Sequence, residues 1–331
     1  MEEQFPMDLA YGKMGVCIYL YSLSRWEGKE EYRQVAEKLL DEVLANISKT
    51  KEISVEKGLA GIVIGLCHLV REKFVGGDIN EILDEVDSHI FKTLAFMSAE
   101  TSYLSKSTII HLLYYLQLRY TEQDSADNKY LFQELIIKMI EMFQQNLKAD
   151  FFDEPFSFSA LDWLPPQLLY VASKIYALNI YSNRITKILE DIIRKVLSTV
   201  PALQANRLYL LFALASIRQY LPDHEKALDS HIHLLKERID VAHIMNVECK
   251  EQDVYVKDGL SFVYMLLYLI QKEYPEYGID FNPQAIYDRI RNSEAWNSLN
   301  NREYYHYLRK GLFDGFPGAY LVLLHIKKHF L

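Results

Sequence analysis

The chain has 331 residues, of which 50% are hydrophobic and 24% are charged, and this composition excludes a disordered or low-complexity protein. Its 45 acidic residues outnumber its 36 basic residues, which gives a formal net charge of −9. An acidic chain without a basic block is a poor ligand for nucleic acid or for an anionic membrane surface, because both require clustered lysine and arginine.

Apolar residues recur at helical spacing along most of the chain, and two kinds of predicted helix alternate. The first kind is apolar on nearly every face, which indicates burial. It covers residues 16–21, 62–70, 109–115, 168–178, 208–217, 262–270 and 319–326. The second kind has one apolar stripe and one charged face, and covers residues 30–48, 80–97, 129–147, 182–199 and 224–239. In the first of these the stripe is predicted to consist of Val35, Leu39, Leu40, Val43, Leu44 and Ile47.

This alternation predicts an all-α fold, an α/α toroid of about seven helical hairpins with buried helices inside and amphipathic helices outside. We expect a single domain over residues 1–331. The last buried helix ends at the C-terminus, so the seven inner helices lack a full set of outer partners. Residues 304–312 or 1–9 are candidates to cover that gap, and polar residues 293–302 predict a long loop.

Glycines mark the starts of several buried helices. Three helices open with a Gly-x-x-Gly step and a fourth keeps only the first glycine; the residues are Gly12 and Gly15, Gly58 and Gly61, Gly315 and Gly318, and Gly259. Degenerate copies stand at 104–109, 163–168 and 204–208, which gives seven repeats of about 50 residues. Two interpretations stay open. The glycines let inner helices crowd together, or they expose helix N–H groups to a ligand.

These motifs resemble the lanthionine synthetase C-like (LanC-like) family. Residues 11–20 look like the first inner-helix motif of that family, residues 57–62 like the second and residues 314–318 like the last. Two further segments are similar to a branch of the family from gut Bacteroidetes. They are Gly12-Lys13-Met14-Gly15 and Phe74-Val75-Gly76-Gly77. The resemblance covers nearly the whole chain and implies the α/α toroid of the family.

The resemblance also implies zinc chemistry, from which this sequence departs. Family cyclases hold zinc with two cysteines and one histidine and bind a peptide cysteine as thiolate for addition to a dehydrated serine or threonine. Gln204, Lys257 and Asp258 stand where those ligands are expected, and Trp163 stands at the acid/base histidine. We therefore predict no zinc, no other metal and no cofactor.

Other cysteines and histidines do not rebuild a zinc site. Cys17 and the Cys67-His68 pair lie inside apolar helices, while Cys249 is the one cysteine expected to reach the helix-tip rim. His111 is interpreted as a core histidine. His231 and His233 are expected to face solvent. With three cysteines, no signal-peptide pattern and no apolar run long enough to span a membrane, we expect a cytoplasmic protein.

The candidate ligand-binding residues are those expected at the rim formed by the helix tips. They are Asp8, Tyr11, Asp162, Trp163, Gln204, Asn206, Arg207, Lys257, Asp258 and Asp314. For Asp258 and Asp314 the alternative is helix N-capping.

Three functions remain open at this point. The first is a LanC-like protein of a peptide-modification pathway that binds a peptide without zinc-dependent cyclase activity. The second is a glycosidase-like enzyme with a pair among Asp162, Asp258 and Asp314, which would bind a sugar. The third is a non-catalytic interaction scaffold. A peptide or partner protein is the expected partner, and the chain is expected to be a monomer or a weak dimer.

Overall fold

The computed structural model describes residues 5–97, 104–180, 182–298 and 310–330. Over these ranges the regular structure is helical and contains no strand, which confirms the all-α prediction. The α-helices are α1 (Lys13–Glu27), α2 (Glu30–Asn46), α3 (Leu59–Arg71), α4 (Ile79–Phe96), α5 (Lys106–Glu122), α6 (Ala126–Gln145), α7 (Leu164–Ala177), α8 (Ser182–Leu197), α9 (Gln204–Arg218), α10 (Glu225–Lys236), α11 (Val241–His243), α12 (Leu260–Glu273), α13 (Pro283–Arg291), α14 (Glu294–Asn297) and α15 (Phe316–Phe330).

Shorter turns complete these elements. Four 3₁₀ turns cover Ile47–Lys49, Ala149–Phe152, Pro222–His224 and Pro275–Tyr277 among the described residues. A π-helical segment, Ile244–Glu248, continues directly from α11. No helix in the described part of the chain has both the length and the apolar character needed to cross a bilayer.

Buried and amphipathic helices alternate as the hydrophobic pattern predicts. The predicted buried segments lie in α1, α3, α5, α7, α9, α12 and α15, and the predicted amphipathic segments in α2, α4, α6, α8 and α10. The contrast is large: α9 buries twelve of its residues, whereas α2 buries only three. α13, which buries Ile286 and Ile290, is a further surface helix that the pattern did not separate.

The stripe predicted for α2 is partly wrong. Val35 and Leu44 are 47% and 39% exposed, whereas Ala36 is fully buried beside Leu40 and Val43. The Cys17 thiol lies 3.6 Å from the carbonyl oxygen of Ala36, so the small Ala36 side chain admits the close approach of α1. Close packing at Ala36, rather than the largest apolar side chains, sets the rotation of α2.

The chain divides into two compact units. Met1–Gln145 with Tyr304–Leu321 forms unit 1, and Asn146–Glu303 with Val322–Leu331 forms unit 2. In unit 1, α1 packs against α2 and α3, α3 against α4 and α5, and α5 against α6. In unit 2, α7 packs against α8 and α9, α9 against α10 and α12, and α12 against α13. Within each unit, buried helices pack in chain order, each backed by the amphipathic helix that follows it.

The loop expected at 293–302 contains a helical turn. Ser293 Oγ accepts a hydrogen bond from the Trp296 N–H at 3.1 Å and caps α14. Trp296 is buried, and the Arg291 guanidinium carbon lies 5.0 Å from its ring centroid. The polar residues of this segment predicted an irregular loop. Packing of the Trp296 ring instead orders it as a helical turn. Residues 299–309 and 1–4, which include most of the predicted gap-covering segments, lie outside the described residues.

Candidate functional site

The loops that precede three buried helices share one backbone geometry. Gly12, Gly58 and Gly259 are the N-cap residues of α1, α3 and α12. In each case the first helical N–H donates to the carbonyl seven residues earlier. The bonds are Lys13 to Pro6 (2.8 Å), Leu59 to Glu52 (2.9 Å) and Leu260 to Asp253 (3.0 Å). The repeat that the glycines suggested is thus a repeated loop conformation.

The first glycine of each motif is required because the loop folds back against it. A Cβ at Gly12 would lie 2.5 Å from the Pro6 carbonyl oxygen, and one at Gly58 would lie 2.5 Å from that of Glu52. At Gly259 the same atom would lie 2.7 Å from the Val254 nitrogen. These separations are too short for non-bonded atoms, so any side chain would displace the backbone.

The second glycine joins neighbouring repeats in unit 1. A Cβ at Gly15 would lie 2.7 Å from Leu312 Cβ, and one at Gly61 would lie 3.2 Å from Leu9 Cβ as well as colliding with the Val55 carbonyl. Leu312 and Leu9 hold the same position, three residues before the first glycine of their own motifs. Each loop therefore packs its leucine on the second glycine of the next repeat.

Backbone hydrogen bonds link the loops before α15, α1 and α3 side by side. The Phe313 N–H donates to the Ala10 carbonyl at 3.0 Å, and the Ala10 N–H donates to the Glu56 carbonyl at 3.3 Å. All three residues stand two positions before a motif glycine. The starts of α15, α1 and α3 are thereby held next to each other in unit 1.

Four polar side chains gather at these loops and form what we call the Glu56 cluster: Tyr11, Glu56, Lys57 and His111. The Tyr11 hydroxyl lies 3.4 Å from Glu56 Oε2, and His111 Nδ1 lies 3.7 Å from Glu56 Oε1. Lys57 Nζ is 5.8 Å from the centroid of the Tyr11 ring. The cluster combines a phenol, a carboxylate and an ammonium group on loops linked by backbone hydrogen bonds with an imidazole from α5.

Sequence reasoning found only part of this cluster. Tyr11 was a predicted site residue, whereas Glu56 and Lys57 were missed although they precede Gly58 as Ala10 and Tyr11 precede Gly12. The interpretation of His111 as a core histidine is wrong, because its side chain is partly exposed and faces the Glu56 carboxylate. The repeat register was the signal that could have identified Glu56 and Lys57.

Burial raises the pKa values of both Asp8 and Tyr11. Asp8 Oδ1 accepts the Tyr11 N–H at 2.7 Å, which closes the turn before α1. Burial raises the pKa of the Asp8 carboxyl, while this hydrogen bond opposes the shift. Burial first, and then the nearby Glu56 and Asp314 charges, raise the pKa of the Tyr11 phenol. Asp8 therefore supports the loop, and Tyr11 stays protonated as a hydrogen-bond donor.

The two aspartates that precede motif glycines lie in different units. Asp314, in unit 1, directs Oδ1 toward Gly311 of its own loop, so closely that a side chain at Gly311 would collide with it. Asp258, in unit 2, is partly buried and its charge helps to raise the pKa of Cys249. Gly259 rather than Asp258 is the N-cap residue of α12, and Asp314 stands two residues before α15 with its carboxylate against its own loop.

In unit 2 the N-terminus of α9 is bound by two carboxylates from distant segments. Glu154 accepts the N–H groups of Ala202 (2.7 Å) and Leu203 (3.0 Å) and the Asn206 side-chain amide (2.9 Å). Glu248 accepts the N–H groups of Gln204 (2.7 Å) and Ala205 (2.9 Å). Helix N-termini leave such donors unsatisfied and carry partial positive charge, so both carboxylates stabilise the start of α9. Neither glutamate was predicted.

The candidate residues on α9 have structural partners. Gln204 Oε1 accepts the Asp240 N–H at 2.6 Å, and Asn206 is fully buried. The Arg207 guanidinium donates to the carbonyl groups of Pro201 (2.7 Å), Arg238 (2.7 Å) and Ala202 (3.0 Å). Arg207 therefore holds the loops around α9 together with its donors.

The remaining predicted residues lie in the loops before α7 and α12 in unit 2. Trp163 is the N-cap of α7 and is only 3% exposed, with its ring centroid 6.4 Å from that of Tyr209. Asp162 is exposed. The Lys257 carbonyl accepts the Ala160 N–H at 2.7 Å, which joins the loops before α7 and α12.

The residues present do not fit the zinc of the LanC-like family. All three cysteines are buried, and burial is the largest cause that raises the thiol pKa, to about 12 for Cys17 and Cys249 and about 11 for Cys67. The expectation that Cys249 reaches the rim is wrong, since it is 2% exposed. No group of three or more His, Cys, Asp or Glu residues in the described ranges is arranged to hold a metal ion.

The two histidines of α10 differ in environment. His233 is exposed as predicted, whereas His231 is 6% exposed and its Nε2 has no hydrogen-bond partner. The expectation that His231 faces solvent is therefore wrong. The apolar residues on the same face of the helix, Leu228, Ile232 and Leu235, carry it into the core.

Comparison with models of known protein families and with curated protein sequences finds no match to this chain.

Proposed function

We propose that this chain is a LanC-like protein of a peptide-modification pathway that binds a peptide at the Glu56 cluster without zinc-dependent cyclase activity. The observation that supports the proposal is the set of three linked loops, which brings Tyr11, Glu56 and Lys57 together at the starts of buried helices, with His111 of α5 facing Glu56. The same proposal includes a cytoplasmic location and a monomer or weak dimer.

The chemistry of the cluster suits a polypeptide. Tyr11 and Lys57 supply hydrogen-bond donors, Glu56 supplies an acceptor, and His111 supplies either. Such a mixture matches the alternating N–H and C=O groups of an extended peptide backbone. The carboxylates of Glu56 and of Asp314, whose charge acts on Tyr11 from outside the cluster, outnumber the single ammonium group of Lys57, so this region favours a peptide with basic side chains.

Selection from a library of random short peptides displayed on phage tests this proposal. The untreated protein serves as bait, and the Tyr11→Phe/Glu56→Gln double variant serves as counter-bait. We expect basic peptides to be enriched on the wild type and to bind the double variant about tenfold more weakly, a loss of about 1.4 kcal/mol.

A matched control comes from an exposed carboxylate outside the cluster. Asp162→Asn changes the charge equally, so it should leave the affinity unchanged. Enrichment of no peptide, or equal binding to wild type and double variant, would refute the proposal. Circular dichroism of both variants separates loss of binding from loss of fold.

The glycosidase alternative receives no comparable support. It requires a carboxylate pair across an open cleft. Asp314 instead folds against its own loop, and its charge contributes to the raised pKa of Tyr11. The interaction scaffold remains compatible with peptide binding, because neither requires a reaction at the cluster.

A further inference from the structure

Two histidines near the end of α15 lie on one face of the helix. His325 and His329 are four residues apart, and their ring centroids are 4.3 Å apart. Side chains at this spacing stand one turn apart on the same face. Two imidazoles at this spacing on a helix are the ligand pair that zinc metalloproteases use, in which both rings turn toward one ion.

A tyrosine fixes the orientation of the first histidine. The Tyr264 hydroxyl, on α12, lies 2.7 Å from His325 Nδ1. The Tyr268 ring packs edge-on against His325 with centroids 4.5 Å apart. If Nε2 binds a metal, Nδ1 carries the proton and its N–H donates a hydrogen bond to the Tyr264 hydroxyl oxygen, which is the outer-shell arrangement that orients metal-ligating histidines.

We propose that His325 and His329 bind one divalent late transition-metal ion, Cu²⁺, Ni²⁺ or Zn²⁺, through their imidazole nitrogens. Tyr264 positions the first ligand. His329 is exposed and lies against the His325 ring, so it supplies the second imidazole, and water completes the coordination shell. This site lies within unit 2, uses no cysteine and does not depend on the proposed peptide function. It departs from the sequence-based prediction that the chain binds no metal.

Nearby charges define the class of metal. Lys272 and Lys328 are close enough to influence His325 electrostatically, and Lys327 follows Ile326 on the same helix. Positive neighbours disfavour Mg²⁺ and Ca²⁺, which need oxygen ligands and negative charge. Late transition metals are retained by imidazole nitrogen, with Cu²⁺ the strongest of the series. We expect the lysines to weaken the site without abolishing it.

Titration of the full, untagged chain with CuCl₂ or NiCl₂ tests the site, by calorimetry and by electron paramagnetic resonance for Cu²⁺. We expect one ion per chain and nitrogen hyperfine structure in the copper spectrum. His329→Ala should weaken binding at least tenfold and remove one nitrogen coupling. Tyr264→Phe should weaken it about tenfold, in line with other outer-shell substitutions.

The control is His233→Ala, which removes an exposed histidine on α10 and should leave both readouts unchanged. Equal affinity for wild type and His329→Ala, or unchanged nitrogen couplings in that variant, would overturn the proposal. Because His329 is exposed, its substitution should not affect folding, and circular dichroism checks this point.

Discussion

At the residue scale, Arg119 carries a charged side chain that is fully buried in unit 1. Its Nε and Nη2 donate to Asp87 Oδ2 at 3.0 and 2.7 Å, and Nη2 also donates to Asn80 Oδ1 at 3.0 Å. The Tyr115 hydroxyl donates to Asp87 Oδ1 at 2.6 Å. A buried charge is tolerated only when it is paired and hydrogen-bonded in this way.

Removal of one partner should therefore be costly. We expect Arg119→Met to lower the free energy of unfolding by about 3–5 kcal/mol, because Asp87 is left charged and buried. Urea denaturation measures the loss. The Asp87→Leu/Arg119→Met double variant should recover most of it. Arg194→Met, at an exposed ion pair with Asp191, should cost less than about 1 kcal/mol. A loss at Arg119 no larger than that at Arg194 would contradict this account.

The buried His231 predicts a pH dependence. Burial lowers its pKa in the folded protein, whereas in the unfolded chain the pKa is about 6.5. Below that pH His231 is protonated in the unfolded chain but stays neutral in the folded chain, because its folded-state pKa is lower. The contribution of His231 to the free energy of unfolding should therefore be fully present above pH 6.5. It should decrease on acidification, by at most about 1.4 kcal/mol per pH unit for this group.

Chemical denaturation at a series of pH values checks this expectation. His231→Gln should flatten the decline between neutral and mildly acidic pH, while His233→Gln at the exposed neighbour should not. His68, whose pKa burial also lowers, contributes to the slope in every protein of the series. An identical slope for wild type and His231→Gln would show that His231 is not the titrating group.

At the element scale, the glycine-led loops decide how buried helices begin. The first glycine admits the loop of its own repeat, and the second glycine admits the leucine of the neighbouring repeat. This explains why both positions of the Gly-x-x-Gly step are small where two repeats meet. It also favours packing over ligand contact as the role of the glycines themselves.

Gly61→Ala should accordingly destabilise the protein by at least about 2 kcal/mol, because its Cβ collides with the Val55 carbonyl and overpacks the junction with Leu9. Gly76→Ala is the matched control, since nothing lies within 4 Å of an added Cβ there, and it should change stability by less than about 0.5 kcal/mol. Thermal unfolding compares the two. Equal melting temperatures for both variants would exclude the proposed packing role.

We expect the negative charge of Glu248 to stabilise the start of α9. Glu248 is almost buried, with 6% of its side chain exposed, and it binds two helix N–H groups. Glu248→Gln removes the negative charge that favours the helix dipole and should cost about 1–2 kcal/mol. Glu85→Gln on the exposed face of α4 is the control and should be neutral. Urea midpoints test the pair, and a neutral Glu248→Gln would remove the assigned role.

The sequence predicted these elements unequally. Helical periodicity identified the alternation of buried and amphipathic helices, because burial follows directly from apolar spacing. It misjudged Val35 and Leu44, because the close approach at Ala36 depends on another helix. Glu154 and Glu248 were missed because each reaches a helix start more than forty residues away in sequence, and no local pattern records such a contact.

At the scale of the whole molecule, an all-α chain with two compact units accommodates the repeats that the sequence suggested. The predicted site was only partly recovered. Tyr11 lies in a polar cluster, whereas Trp163 and Asn206 are buried and Arg207 is engaged with backbone carbonyls. Trp163 and Asn206 do lie at helix starts, but packing by segments distant in sequence buries them there, and no local pattern records such packing.

The central claim is that Tyr11 and Glu56 bind a peptide without a metal. Its most direct test is fluorescence anisotropy of a labelled, selected peptide titrated with protein that has been dialysed against EDTA. We expect the same Kd before and after dialysis and an about tenfold higher Kd for Glu56→Gln. Loss of binding after dialysis, or an unchanged Kd for Glu56→Gln, would contradict the claim.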